Sequence, residues 1–269
     1  MLRVIFLLLF IVTFAFGYDD SDLDGVEDML DKCPQTPFSE LVDLSGCSVK
    51  KIDKKISLDI ITGIRYSQVN YSSQQRGDTV TFSFQSDIYI DSWNIELFTS
   101  KYYSKIGAKN KSGFDDTVIT LFYKYPISEK LSLNSGVGVI LPTYESGYDN
   151  EKTDYSIYGG FEYLLDIPAY LFGNLGYTSV KDSDTSLVKY QNISNYSIGI
   201  GYMINFKNSL SLSYNQNSSI YKDIEDIKTV RAGYSYRVDL HWFFCADYDY
   251  GLNEQSSNHS LLLRIGYGF

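Results

Sequence analysis

The chain has 269 residues and a formal net charge of −10, with 33 acidic side chains against 23 basic ones. That balance excludes a generic nucleic-acid binder, which needs cations to displace phosphate counterions. The 25 Tyr and 16 Phe exclude a chain disordered throughout.

Residues 1–17 read Met1-Leu2-Arg3, an apolar run from Val4 to Phe16, then Gly17. A cation, a short apolar run and a small-residue end predict a signal peptide. The run meets Asp19 and Asp20 too early for a spanning helix, which needs about 20 apolar residues. No Cys follows the run, which argues against a lipoprotein anchor. The three Cys fit an oxidising compartment as one pair plus one left over.

The acidity is local. Residues 18–31 hold Asp19, Asp20, Asp22, Asp24, Glu27, Asp28 and Asp31 and no base. Within them, Asp20 to Asp31 has the form of a twelve-residue calcium loop. Asp20, Asp22, Asp24, Asp28 and Asp31 bring acidic oxygens to positions 1, 3, 5, 9 and 12. Gly25 stands at the sharp turn, and Val26 offers its carbonyl at position 7. Calcium is a hard cation that takes six to eight oxygens, which alternating Asp around a turn can supply. Position 12 is Asp31 where Glu is usual.

The segment runs on through Lys32-Cys33-Pro34-Gln35-Thr36-Pro37 to Val42-Asp43-Leu44-Ser45-Gly46-Cys47. Over residues 20–47 it resembles a bacterial thrombospondin type 3 repeat of the kind found beside outer-membrane protein A-type domains. The resemblance implies calcium binding by the five Asp and a Cys33–Cys47 disulfide. A metal–thiolate pair would need a C-x-x-C spacing that is absent. Such repeats usually run in series. A single copy implies weak affinity, on the order of 10⁻⁴ to 10⁻³ M. Residues 18–55 are therefore expected to be a periplasmic calcium-binding segment.

From residue 56 the dominant period is two. Ile56, Leu58, Ile60 and Ile64 alternate with Ser57, Asp59, Gly63 and Arg65. Tyr196, Ile198, Ile200 and Tyr202 alternate with Ser197, Gly199 and Gly201. Period two predicts strands with one apolar and one polar face. Twelve segments follow this pattern: 56–71, 79–90, 93–104, 117–126, 130–145, 154–166, 169–180, 192–205, 208–217, 228–238, 240–250 and 259–269. Most match the roughly 9–11 residues that a tilted strand needs to cross a bilayer. Tight turns such as Asp91-Ser92 and Phe206-Lys207 alternate with longer polar stretches such as 105–116, 146–153 and 181–191. Short turns on one side and long loops on the other predict an all-β fold: a transmembrane antiparallel β-barrel of twelve strands over residues 56–269, in a bacterial outer membrane.

Leu261, Leu263, Ile265, Tyr267 and Phe269 share one face at the chain end. This resembles the C-terminal strand motif of outer-membrane barrels. The resemblance implies that Tyr267 and Phe269 are read by the barrel-assembly machinery. Tyr near strand ends, including Tyr66, Tyr102, Tyr123, Tyr144 and Tyr177, together with Trp93 and Trp242, are expected at the membrane interface.

The alternation assigns a lumen set: Asp59, Arg65, Asp87, Glu96, Lys124, Glu162, Arg231, Arg237, Asp247, Asp249 and Arg264. Both signs suit either a wet channel or structural ion pairs in a narrow barrel. Gly136, Gly199, Gly201 and Gly266 share this phase and would leave lumen space or ease curvature. Cys245 shares it too. Twelve strands resemble outer-membrane phospholipase A, which uses a His, a Ser and an Asn. Here His259 and Ser260 are adjacent on one strand and face opposite sides, so they cannot act as base and nucleophile. No enzyme is expected. Calcium is the cofactor and outer-membrane lipid the surroundings. The expected function is a porin-like channel for small solutes; the alternative is a structural or adhesive surface protein.

Overall fold

The computed structural model describes residues 26, 31–33, 42, 45–47, 56–70, 76–144, 152–186 and 188–269. The signal peptide lies outside them. The chain divides into two units between Lys54 and Lys55. In the first, Cys33 and Cys47 are joined by a disulfide with their Cα atoms 5.0 Å apart. Beside it, Lys32 N donates to Ser45 O at 2.8 Å and Cys33 N donates to Asp31 Oδ1 at 2.7 Å.

The second unit is a closed antiparallel barrel. Its strands are β1 (Ile56–Asn70), β2 (Arg76–Ile90), β3 (Trp93–Ile106), β4 (Lys109–Phe114), β5 (Thr117–Pro126), β6 (Leu131–Leu141), β7 (Asp154–Leu164), β8 (Ala169–Ser179), β9 (Ile193–Asn205), β10 (Asn208–Asn217), β11 (Ile227–Arg237), β12 (Trp242–Gly251) and β13 (His259–Gly268). Each pairs with its sequence neighbour except β4 and β5, which both pair with β3, and β1 also pairs with β13, which closes the ring. Ring closure pairs both sides of every strand but β4, which pairs with β3 alone among the described residues; closed pairing is required of a sheet placed in hydrocarbon.

The barrel has twelve staves, because β4 and β5 form one of them. Strand β3 pairs with β5 over Trp93–Phe98 and with β4 over Lys101–Ile106. Between these ladders Asp115, Asp116 and Thr117 stand opposite Thr99 and Ser100. That is a bulge, with one extra residue on the β4–β5 side. Asp115 N donates to Ser100 O at 2.9 Å, and the Ser100 hydroxyl returns a bond to the Asp115 carboxylate.

The alternation reads 105–116 as a loop; the structure folds it into a hairpin. Gly107, at φ 59°, supplies the left-handed turn residue. Lys109–Phe114 carries little apolar alternation, which is why it reads as loop. Two smaller differences have local causes. Strand β6 stops at Leu141, because Pro142 cannot donate to the ladder. Strand β12 begins at Trp242, because the Asp239 carboxylate accepts from the amides of His241 at 2.8 Å and Trp242 at 2.7 Å and holds a turn there.

The faces are inverted relative to a soluble protein. Leu175 is 67% exposed, Ile198 59% and Val137 57%, all in mid-strand and all on the outward phase. In lipid such a band is required; in water it would be a large exposed patch. Aromatic rings gather at both ends of this band. At the short-turn end Trp93 packs on Tyr123 with centroids 4.7 Å apart, and Trp242 on Tyr267 at 4.8 Å. At the long-loop end Phe82 packs on Tyr103 at 6.2 Å and Tyr196 on Tyr214 at 6.0 Å. Two such girdles mark the two membrane interfaces. Tyr102 departs from its predicted interface role: it is on the inward phase and only 8% exposed.

Candidate functional site in the barrel lumen

Strand pairing decides which inward side chains meet. Arg231 and Asp249 are direct register partners on β11 and β12. Arg231 donates to Asp249 through Nε at 2.6 Å and Nη2 at 3.3 Å. This forked, charge-assisted geometry is the strong form of the interaction. Arg65, from β1, reaches the same carboxylate at 3.5 Å. One row away Arg264 on β13 donates to Asp247 on β12 at 2.7 Å, across a diagonal of the ladder. Three guanidiniums thus share two carboxylates on the wall formed by β1, β11, β12 and β13. Asp249 is only 4% exposed.

A second group lies toward the short-turn end. Asp59, Asp87 and Glu96 are consecutive register partners on β1, β2 and β3. Like charges directly opposite on a sheet repel. The Gln85 amide offsets part of this, donating to Asp87 at 2.8 Å and to Glu96 at 3.2 Å. Gly268, the β13 partner of Asp59, leaves room for that carboxylate: a Cβ there would lie 2.9 Å from Asp59 Oδ1.

Of the other expected lumen residues, Lys124 lines a 460 Å³ cavity at the short-turn end, together with Tyr89, Asn94 and Phe122. Glu162 lies on the inward phase of β7 with Ser132 and Phe172 as its register partners, and Arg237 ends β11. The alternation missed Asp154. It is 6% exposed and accepts from Lys181 N at 2.7 Å, which ties the start of β7 to the loop after β8.

The lumen glycines do not leave empty space. Neighbouring aromatic rings lie over them. A Cβ on Gly136 would meet Phe122 Cδ1 at 2.4 Å, one on Gly201 would meet Tyr170 Cζ at 2.1 Å, and one on Gly266 would meet Phe243 Cζ at 2.1 Å. The paired glycine is what lets an inward ring lie flat against the wall and narrow the lumen.

His259 and Ser260 do face opposite sides. Ser260 is buried and accepts from the Ser67 hydroxyl at 3.1 Å, while His259 Nδ1 lies 2.6 Å from Tyr248 Oη. Among the described residues no group of three His, Cys, Asp or Glu is placed to hold a metal ion. Asp20, Asp22, Asp24 and Asp28 of the calcium loop lie outside the described residues; Val26 and Asp31 lie within them.

Outer membrane porin F of Pseudomonas aeruginosa is 32% identical over 111 residues, covering 41% of this chain. The chain spans 27% of the length of that curated relative. No family model matches. Among solved structures, an outer membrane channel from Pseudomonas putida F1 superposes with a TM-score of 0.65 at 14% identity, covering 79% of this chain and 95% of that one. The NanC porin gives 0.52 at 13% identity, covering 79% and 98%. The translocator domain of the autotransporter NalP from Neisseria meningitidis gives 0.51 at 11%, covering 82% and 90%. The fold is that of an outer-membrane β-barrel. At these identities the structural likeness speaks to fold alone.

Proposed function

We propose that this chain is a porin-like channel of a bacterial outer membrane, passing small solutes through its lumen. The observation that carries this reading is the segregation of the two strand faces. The inward phase holds ion pairs, carboxylates, amides and hydroxyls; the outward phase is apolar between two aromatic girdles. A charged lumen in a closed barrel suits aqueous passage. The partial likeness to porin F and the superposition on an outer membrane channel support it. Reconstitution in planar bilayers tests it: discrete conductance steps are expected. A correctly folded but electrically silent barrel that binds surfaces or partner proteins would overturn the channel in favour of an adhesive role.

In this reading the short turns face the periplasm, and so does the N-terminal segment. There Asp20, Asp22, Asp24, Val26, Asp28 and Asp31 bind calcium, beside a disulfide that closes the segment. The spacing of the Asp residues supports this assignment. Asp22→Ala with Asp24→Ala is expected to abolish the calcium titration of the full chain; an unchanged titration refutes the loop. Tyr267 and Phe269 serve barrel assembly. The Phe269 ring packs on Tyr267 with centroids 4.7 Å apart; Phe269→Ala removes that ring and is expected to lower the yield of membrane-assembled barrel.

A further inference from the structure

Cations are few on the lipid-facing phase of the strands. Among the described side chains they are Lys101 and Lys105 on β3 and Lys228 on β11. Lys228 lies 3.5 Å from Glu225. Lys101 and Lys105 form no ion pair among the described residues. Asp78, the register partner of Lys105 on β2, accepts from Tyr66 Oη at 2.6 Å.

Lys101 stands at the level of the long-loop girdle. Its register partners are Phe82 on β2 and Phe114 on β4, and Phe82 packs on Tyr103. The Lys101 ammonium lies 5.6 Å from the centre of the Tyr103 ring and 5.2 Å from that of Phe114. Tyr103 is two residues nearer the loops, so the stem of Lys101 crosses apolar surface while its head leans toward the rim. Ring faces attract a cation but carry no net charge to neutralise it. Both rings remain half-exposed, open to whatever lies beside the wall.

A cation at the girdle that has no carboxylate in its own wall meets the charges of the lipid headgroups. Strand β3 sets Lys101 and Lys105 four residues apart, about 13 Å along the chain, with Tyr103 between them on the same face. A phospholipid brings one phosphodiester and would engage one lysine. A lipid with a phosphate at each end of a sugar headgroup engages both. The same face of β4 places Ser112 opposite Tyr103 and Asn110 opposite Lys105. These supply a hydroxyl and an amide to sugar hydroxyls, and the exposed rings offer apolar surface to acyl chains.

We infer that the outward face of the β3–β4 hairpin docks a bisphosphorylated glycolipid of the outer leaflet. The inference goes beyond the passage of solutes. It rests on the orientation in the channel reading, with the long loops outside, and requires no conduction.

The test uses the full chain folded in nonionic detergent micelles, with bound lipid read by native mass spectrometry. The probes are bisphosphoryl lipid A, monophosphoryl lipid A, phosphatidylglycerol and phosphatidylcholine. Saturable binding of bisphosphoryl lipid A is expected, several-fold tighter than the monophosphoryl form and at least about tenfold tighter than phosphatidylglycerol. Lys101→Gln with Lys105→Gln is expected to weaken bisphosphoryl lipid A at least about tenfold. Lys101→Arg with Lys105→Arg keeps the charges and should retain binding. Lys130→Gln with Lys207→Gln, at the short-turn end, should leave it unchanged. Heat-modifiable gel mobility confirms that each variant is folded. Equal binding of bisphosphoryl lipid A and phosphatidylglycerol overturns the site, as does full affinity in the glutamine variant of Lys101 and Lys105 or an equal loss in that of Lys130 and Lys207. Conductance separates this site from the channel. A silent barrel that binds lipid A removes the channel and leaves the site; a conducting barrel that does not bind it removes the site alone.

Discussion

Arg231 and Asp249 face each other across β11 and β12, and Arg65 arrives at the same carboxylate from β1. Asp249 therefore offsets one of the two guanidinium charges it touches, while buried on the lumen wall. Asp249→Asn removes the charge and keeps the shape. The guanidiniums remain about a third exposed, so water screens part of the loss. The expected destabilisation is about 1–3 kcal/mol, below that of a fully buried pair. It is read from urea unfolding in lipid vesicles. The same variant should shift the reversal potential toward anions, since Arg65, Arg231 and Arg264 would then face Asp247 alone.

Gly199 and Gly266 both accommodate inward rings, but they differ in what blocks a side chain. A Cβ on Gly199 would meet the backbone oxygen of Leu212 at 2.6 Å as well as Phe172. The three atoms nearest a Cβ on Gly266 all belong to the Phe243 ring. Gly199→Ala is expected to cost about 1–3 kcal/mol and to stay costly when Phe172 is shortened to Leu. Gly266→Ala is expected to be relieved by Phe243→Leu. Double-mutant cycles on unfolding free energy check both.

The two faces of β9 predict opposite tolerances. Ile198→Arg places a cation in mid-bilayer and is expected to cost about 2–4 kcal/mol. Ser197→Arg, one residue away, points into the polar lumen and is expected to cost far less. Folding efficiency into vesicles of defined thickness distinguishes the pair. Equal penalties would mean that the face assignment is wrong.

The turn at Asp239 predicts a pH response outside the membrane. Its carboxyl lies below the ordinary range because the amides of Trp242 and His241 donate to it. A folded-state pKa below the unfolded one contributes stability that is present above the unfolded pKa. That stability is lost as pH falls through the folded value. The Trp242 amide resonance should therefore move on acidification with a midpoint below the usual carboxylate range. Asp239→Asn keeps an acceptor oxygen and should abolish that titration.

Much of the fold was legible from residue 56 onward. Period-two alternation is a local consequence of strand geometry. It marks the twelve staves and the tight turns, though not the inward Asp154. The side chains on one phase follow from the backbone alone, so Asp59, Asp87 and Glu96 could be placed inward before any pairing was known. The alternation failed where both faces are polar. At Lys109–Phe114 no apolar row announces the strand, and the local signal of the hairpin is Gly107.

Sequence by itself determined that this chain forms a barrel with an apolar outside and a charged inside, because each strand's two faces are written at single-residue spacing. Tertiary structure alone decided which charges meet. Register between strands is a nonlocal choice, and it placed Arg65 on Asp249 across 184 positions of chain. It also set three carboxylates side by side on β1, β2 and β3 and laid rings over the glycines. Each of these depends on side chains brought together only when the ring of strands closes, and local alternation carries no information about that closure.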